Sequence, residues 1–411
     1  MEGLNQSLAI GSFKPGDILT GRQAMLLAIQ ESQKGWGFVS PNPMVGCVIL
    51  DSQSRLLASG YHAKYGGPHA EINAIEKVPG LFNYNKPQIK GPGTFSWGDA
   101  LKDATVYVTL EPCAHQGKTG SCAVALSKLP IKKVYFGLID PNPLVSGRGK
   151  QILRDNGIEC EVYQDSDPEF QKQLTLDLEF SCEHFLKNIR QQKPFVALKV
   201  ATSIDGQLAA SDGSSRWITD EEARLHVHYL RAGYDAILTG SGTLLADDPQ
   251  LTIRHPQFPE LKSKKVVLLD RKGVLNSRLD WKLLKEHSPE NILWFTSLNE
   301  SELNPGLKVR PLSYVGDDLN KILTEIWLLG IKSVFIECGP KLLNSFIKAL
   351  TFDRLYLFQA PIILGAKSGY SWTTQVTMAS MEQRLNLQTQ AIKTFKRSVG
   401  GVDLFTSCSK L

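Results

Sequence analysis

The run ATVYVTLEPC, residues 104–113, reads as a buried strand that ends at a proline and a cysteine. Its β-branched and aromatic residues suit a pleated, packed surface. Its end would present Cys113 where open α/β sheets carry their sites. Two further pieces flank it. Upstream stands His69-Ala70-Glu71, and downstream stands Cys122. One histidine and two cysteines are three zinc ligands, which leave a fourth tetrahedral position open, the mark of a catalytic metal. Zinc so held lowers the pKa of its water. Glu71 would move protons between that water and a leaving amine without binding the metal. These are the parts of a zinc-dependent deaminase. Residues two apart on a regular helix point to different faces, so Glu71 must approach the metal from the first helical turn.

The surrounding pattern is α/β. VGCVIL (Val45 to Leu50) and LLASGY read as strands, the stretch after His69 as a helix, AVALSKL as a short helix and KKVYFGLI as a strand. Such alternation predicts a layered sheet. Pro79 to Asp103 reads as a long inserted loop, rich in Gly, Pro and Asn. Pro168 to Arg190 carries helical periodicity through Phe170, Leu174, Leu178 and Phe185, and Pro194 stops it.

After Pro194 the pattern restarts. FVALKVATS, DAILTG, KVVLLD, NILWFT, SVFIECG and RLYLFQAP read as strands. Asp317 to Leu329 places Leu319, Ile322, Leu323 and Ile326 on one helical face, with Gly330 as the stop. The domains are therefore expected at residues 20–165 and 194–411, with a helical junction at 166–193. The two halves show no sign of being repeats of each other.

Composition narrows the function classes. A chain of 411 residues supports more than one core. With 42% hydrophobic and 21% charged residues it reads as a soluble globular protein. No apolar run approaches the roughly 20 residues of a membrane span. The N-terminus lacks the pattern of a secretory signal. Seven cysteines form no disulfide framework, which suits a reduced, cytoplasmic compartment. A net charge of +5 suits phosphate-bearing ligands and falls far short of a nucleic-acid footprint. The expected partner is a small molecule, with neither nucleic acid nor membrane, and the size is compatible with a homo-oligomer.

Longer strings carry a family resemblance. SPNPMVGCVI, GYHAKYGGPHAE, VTLEPCAHQGKT, Cys122 and DPNP stand in the first half. PFVALKVATSIDG, SRWIT, DAILTGSGTLLADDPQLTIR and FIECGPKLL stand in the second. Together they resemble the RibD family of bifunctional riboflavin-biosynthesis enzymes, a pyrimidine deaminase fused to a pyrimidine reductase. The resemblance runs from about Arg22 to about Gly365. It implies a cytidine-deaminase-like layered α/β domain followed by a dihydrofolate-reductase-like α/β domain, with Zn2+ and NADPH as cofactors. The implied substrate is 2,5-diamino-6-ribosylamino-4(3H)-pyrimidinone 5′-phosphate. It would lose its 2-amino group by hydrolysis, and its ribosyl would then be reduced to a ribityl chain.

The resemblance also distributes roles. Zinc falls to His69, Cys113 and Cys122, with Glu71 as the catalytic proton shuttle. Deaminase substrate contacts fall to Asn42, His62, His115 and Lys118. The Asn42 amide offers a donor and an acceptor to a pyrimidine edge, and Lys118 offers a point charge to phosphate. In the reductase half Lys199, Ser215, Arg231, Leu251, Arg254 and Glu337 would hold substrate, and Arg231 and Arg254 can fork onto phosphate. NADPH falls to Ala201, Trp217, Thr243 and Asp247, and to Gly339, Pro340, Lys341, Leu342, Leu343, Asn344 and Ser345. Those last seven open a helix, whose N-terminus favours a pyrophosphate.

Two departures stand out. The family's TPPC is TGSC here, so Gly120 and Ser121 are expected to loosen the loop before Cys122. The segment between His69 and Cys113 is also longer than usual. A nucleic-acid or free-nucleoside deaminase is the competing enzyme reading. The nine-residue step from Cys113 to Cys122 argues against the Cys-x-x-Cys of those enzymes.

Overall fold

GCVIL, residues 46–50, is buried at every position, as a strand covered on both faces must be. In the computed structural model it forms β1 (Gly46–Leu50). The structure describes residues 11–78, 101–114, 120–142, 146–314, 316, 318–365, 370–373, 376 and 384–410. The chain divides into two compact units, Met1–Gln191 and Gln192–Leu411.

The first unit runs α1 (Gly21–Ser32), β1, β2 (Leu56–Tyr61), α2 (Ala70–Ile75), β3 (Thr105–Leu110), α3 (Cys122–Ser127), β4 (Lys133–Leu138), α4 (Arg148–Asp155), β5 (Glu159–Val162) and α5 (Pro168–Gln191). Its sheet has the order β2-β1-β3-β4-β5, antiparallel at the β2 and β1 pairings and parallel from β3 onward. The two-residue strand period splits β1 between two cores. Val48 and Leu50 pack with Met25, Leu26, Leu174 and Leu178, beneath α1 and α5. Cys47 and Ile49 pack with Ala70, Ala74, Ala123, Leu126 and Leu153, beneath α2, α3 and α4. Thus α5 is part of the first unit's core. The helix α1, absent from the sequence reading, starts on a capping box: the Thr20 side chain accepts from the Gln23 N–H, and the Gln23 side chain answers it. Gly60 lets α2 lie directly on β2, since a Cβ there would come 2.4 Å from Ala74 N.

The second unit runs β6 (Phe195–Ser203), α6 (Glu221–Ala232), β7 (Ala236–Gly240), α7 (Ser241–Asp247), β8 (Lys265–Leu269), α8 (Lys282–Glu286), β9 (Ile292–Thr296), β10 (Pro311–Ser313), α9 (Leu319–Leu328), β11 (Ser333–Ile336), α10 (Pro340–Lys348), β12 (Arg354–Ala360), β13 (Leu387–Lys396) and β14 (Val402–Lys410). Among the described residues these strands form one nine-stranded sheet, β10-β9-β8-β7-β11-β6-β12-β14-β13. It is parallel from β10 to β12 and closes on an antiparallel hairpin, β13–β14. The expected face of α9 is buried through Leu319, Ile322, Leu323 and Ile326, and Gly330 ends it at φ +83°. Both units are therefore layered α/β structures. No described helix is long and apolar enough to cross a membrane, and all seven cysteines are free.

Candidate active sites in the two units

His69 is the N-cap of α2, with extended backbone at φ −75° and ψ 169°. That resolves the facing problem. His69 leaves the chain before helical geometry begins, and Glu71 enters on the first turn, so both reach one cavity. Cys113 follows the end of β3, and Cys122 is the first residue of α3. The ligand atoms of His69, Cys113 and Cys122 all lie within 4.8 Å of one another. His69 Nδ1 stands 3.6 Å from Cys113 Sγ and 3.3 Å from Cys122 Sγ. A tetrahedral zinc with Zn–S of about 2.3 Å and Zn–N of about 2.0 Å sets such edges at roughly 3.5 Å. The donor set and its spacing therefore fit zinc. The Cys122 N–H points to Cys113 Sγ at 3.4 Å. Hydrogen bonding from Cys122, with His69 adding to it, pulls the Cys113 thiol below its ordinary value, while Cys113 and burial push the Cys122 thiol up, so the pair favours a thiolate at Cys113. Glu71 is 3% exposed, and burial raises its carboxyl pKa, the direction that suits the expected proton carrier.

Two anchors hold the cysteine segments. Glu111 accepts the N–H groups of Gly147 and Lys150 at 3.1 and 3.2 Å, tying the strand end to the start of α4. Gly149 permits the approach, because a Cβ there would lie 1.9 Å from Pro112 O. Ser121 donates to Cys113 O at 2.8 Å and accepts the Val124 N–H at 3.3 Å as the N-cap of α3. The expectation that Gly120 and Ser121 loosen this loop is thus corrected at Ser121: its hydroxyl fastens one cysteine segment to the other.

Beside the ligands is a cavity of about 290 Å3 lined by Asn42, His62, His69, Glu71 and Cys113. His62 Nδ1 faces Pro68 O at 3.0 Å, which assigns the proton there. Its Nε2 then accepts from Asn42 Nδ2 at 3.1 Å. Burial lowers the His62 pKa, which favours the neutral ring. Tyr65, Asp140, Asn142 and Phe185 also line this cavity and were not singled out as site residues. Asp140 and Asn142 belong to the DPNP string, which was the available signal. Phe185 comes from α5 and carried only the signal of core periodicity. His115, Lys118 and most of the Pro79 to Asp103 segment lie outside the described residues.

In the second unit β6, β11 and β7 are neighbours. Lys199 and Ala201 sit on β6, Glu337 just after β11, and Thr243 and Asp247 on the helix that follows β7. Burial lowers the Lys199 pKa, and Glu337, Arg231 and Asp247 all act on its charge. Arg231 forks onto Glu337 at 2.5 and 3.0 Å and donates to Thr252 O at 2.8 Å. These two expected substrate contacts are therefore paired with each other. Burial raises the Asp247 pKa, against the pull of Arg216 and Lys199. Gly339, the N-cap of α10, donates its N–H to Thr243 Oγ1 at 3.2 Å, joining two of the expected cofactor segments. No side chain caps α10, and Pro340 at its first position has no N–H, so the N–H groups of Lys341 and Leu342 are the ones its first turn leaves for an anion such as a phosphate. Pro340 and Leu342 are half-buried, and Lys341 and Ser345 are exposed. Leu343 and Asn344 instead face the core, where Asn344 donates to Pro340 O and Trp372 O. Trp217 is exposed, with the Arg224 guanidinium 4.1 Å over its ring. Ser215 is half-buried nearby in sequence. Leu251 is buried at φ +53°, and Arg254 donates to Thr252 Oγ1 at 3.0 Å and to Gln250.

Residues 20–138 match the model of the cytidine and deoxycytidylate deaminase zinc-binding region, and residues 194–399 match that of the RibD C-terminal domain. The riboflavin biosynthesis protein RibD of Aquifex aeolicus is 36% identical over 342 residues, covering 83% of this chain and 87% of that protein. The solved structure of Acinetobacter baumannii RibD is 32% identical, covers 95% of this chain and 98% of its own, and superposes with a TM-score of 0.75. A diaminohydroxyphosphoribosylaminopyrimidine deaminase/5-amino-6-(5-phosphoribosylamino)uracil reductase from Thermotoga maritima, also 32% identical, covers 95% and 98% with a TM-score of 0.74. With both units matched, and a zinc-ligand cluster formed by His69, Cys113 and Cys122 in the first, the chain belongs to the RibD family.

Proposed function

We propose that this chain catalyses two consecutive steps of riboflavin biosynthesis. The first is hydrolytic deamination of 2,5-diamino-6-ribosylamino-4(3H)-pyrimidinone 5′-phosphate. The second is NADPH-dependent reduction of the ribosyl group to ribityl. The observation that carries the reading is the convergence of His69, Cys113 and Cys122 beside the buried Glu71.

In the first unit His69, Cys113 and Cys122 would hold zinc, which would supply a Lewis acid able to make water nucleophilic near neutral pH. Glu71, buried beside these ligands, would carry a proton from the attacking water to the departing amine. Asn42 and His62 line the same cavity and orient the pyrimidine edge by hydrogen bonds. His115 and Lys118 complete the proposed substrate set. In the second unit NADPH supplies the hydride. Ala201, Trp217, Thr243, Asp247 and the first turns of α10 position it. Arg231 and Arg254 take the substrate phosphate. Lys199 and Glu337 stand as the proton-moving candidates at the ribose, and Ser215 and Leu251 shape its pocket. A cytoplasmic setting suits free thiols and phosphorylated substrates.

The full chain, loaded with zinc and supplied with NADPH and the diaminopyrimidinone ribotide, should release ammonia and then oxidise NADPH. Without zinc, NADPH oxidation should persist only on the deaminated substrate. Zinc-loaded protein that releases no ammonia would overturn the deaminase assignment.

A further inference from the structure

His228 stands one turn before Arg231 on α6, and no role had been given to it. Its ring lies between the two arginines proposed to bind phosphate. Nδ1 accepts the backbone N–H of Arg254 at 3.2 Å and lies 3.4 Å from Arg231 Nη1. With Nδ1 accepting, Nε2 carries the ring's single proton, so its 3.4 Å approach to Arg254 Nη2 is a packing contact and not a hydrogen bond. Both guanidiniums also meet the same neighbour, Thr252: Arg231 through its carbonyl and Arg254 through its hydroxyl.

Two guanidiniums gathered this closely repel each other. Glu337 forks onto Arg231, and Arg254 has only the longer-range pull of Glu286. The position between them therefore calls for a group that accepts hydrogen bonds and carries no charge. A neutral imidazole is such a group, whereas a protonated one would add a third cation. Burial, then Arg231 and Arg254, hold the His228 pKa down to about 3, so the ring is neutral throughout the working range.

We propose that His228 is a positioning residue of the reductase unit, holding Arg254 beside Arg231 so that the pair receives the phosphate dianion of the substrate. This rests on the assignment of Arg254 to the substrate side. The gain comes from pre-organisation: a long cationic side chain already held in place loses less freedom when the phosphate arrives. A dianion in turn relieves the repulsion between the arginines, so the arrangement favours a phosphorylated over an unphosphorylated substrate.

The test uses the full chain, NADPH and 5-amino-6-(5-phosphoribosylamino)uracil. His228→Phe keeps a ring and removes the acceptor. It should raise the KM for the ribotide about tenfold, the effect of one hydrogen bond to a charged group. It should change kcat by less than about threefold and leave the Kd for NADPH alone. His228→Asn, whose carbonyl oxygen can replace Nδ1, should restore most of the loss. In an Arg254→Ala background His228→Phe should add nothing further. An unchanged KM in His228→Phe would overturn the proposal, as would an equal rise with and without Arg254. If the phenylalanine variant does not fold, His228→Gln serves, since it moves the acceptor outward and should also raise KM. Arg254→Ala that weakens NADPH binding at constant substrate KM would show instead that the underlying assignment of Arg254 is wrong.

Discussion

The first unit brings three ligand atoms within 4.8 Å of one another, whereas the second ties its arginines to other side chains, Arg231 to the carboxylate of Glu337 and Arg254 to the neutral Thr252 and Gln250. A metal site needs few residues at short, chemically narrow distances, so a cysteine and a histidine in the right strings already say most of it. A phosphate and dinucleotide site is assembled from ion pairs and helix starts, each of which also has an ordinary structural use. The same local signals are therefore sharp in one unit and diffuse in the other.

Breaking the proton path in the first unit gives the largest expected effect. Glu71→Gln should retain zinc and lower deamination by about 10²–10⁴-fold, the usual weight of general acid–base catalysis, while the reductase step is unchanged. Bound zinc, ammonia release and NADPH oxidation on one sample decide it; normal turnover at full zinc occupancy would refute the role of Glu71.

The second unit is more exposed to loss of a charge partner. Glu337→Ala leaves Arg231 without its carboxylate partner and Lys199 with Asp247 alone, in a largely buried place. Removing one member of such a pair costs roughly 3–5 kcal/mol, or roughly 10 °C in a unit of this size. Calorimetry should show the second unit melting early and the first unmoved. A variant that melts like the parent but loses reduction would make Glu337 purely functional.

Ser121→Ala sharpens the metal side of the comparison. It removes an N-cap and a link between the cysteine segments, worth about 1 kcal/mol. Zinc release to a chelator should quicken about fivefold, with Ser121→Thr close to the parent. Unchanged release would mean that the three ligands need no such fastening.

The smallest effect is electrostatic and lies away from both sites. Hydrogen bonding to Arg22 holds the Asp165 carboxyl down to about 2. A depressed folded-state pKa stabilises above the unfolded value, near 3.9, and that benefit is lost as pH falls through about 2. Asp165→Asn should therefore melt a degree or two lower at pH 7, and the gap should shrink between pH 4 and pH 2. A gap independent of pH would assign the effect to packing.

Much of the fold was legible because it rests on period and punctuation. The buried runs at β1, β3, β6 and β8 and the apolar face of α9 follow from local pattern alone. The helix α1 escaped although Thr20 and Gln23 form a capping box. So did the β13–β14 hairpin, whose burial alternates weakly and whose partner β12 is remote in sequence.

By itself the sequence determined two α/β units and the three residues of the zinc-ligand cluster, and it singled out Glu71 as the expected proton carrier, because those depend on residue type and local spacing. Tertiary structure decided what touches what. It made His69 an N-cap so that Glu71 shares its cavity, brought Asp140, Asn142 and Phe185 to the same wall, turned Ser121 into a fastener and set His228 between two arginines. Each of these contacts joins residues through folded backbone or through distant segments, and no local pattern of apolar and polar residues encodes them.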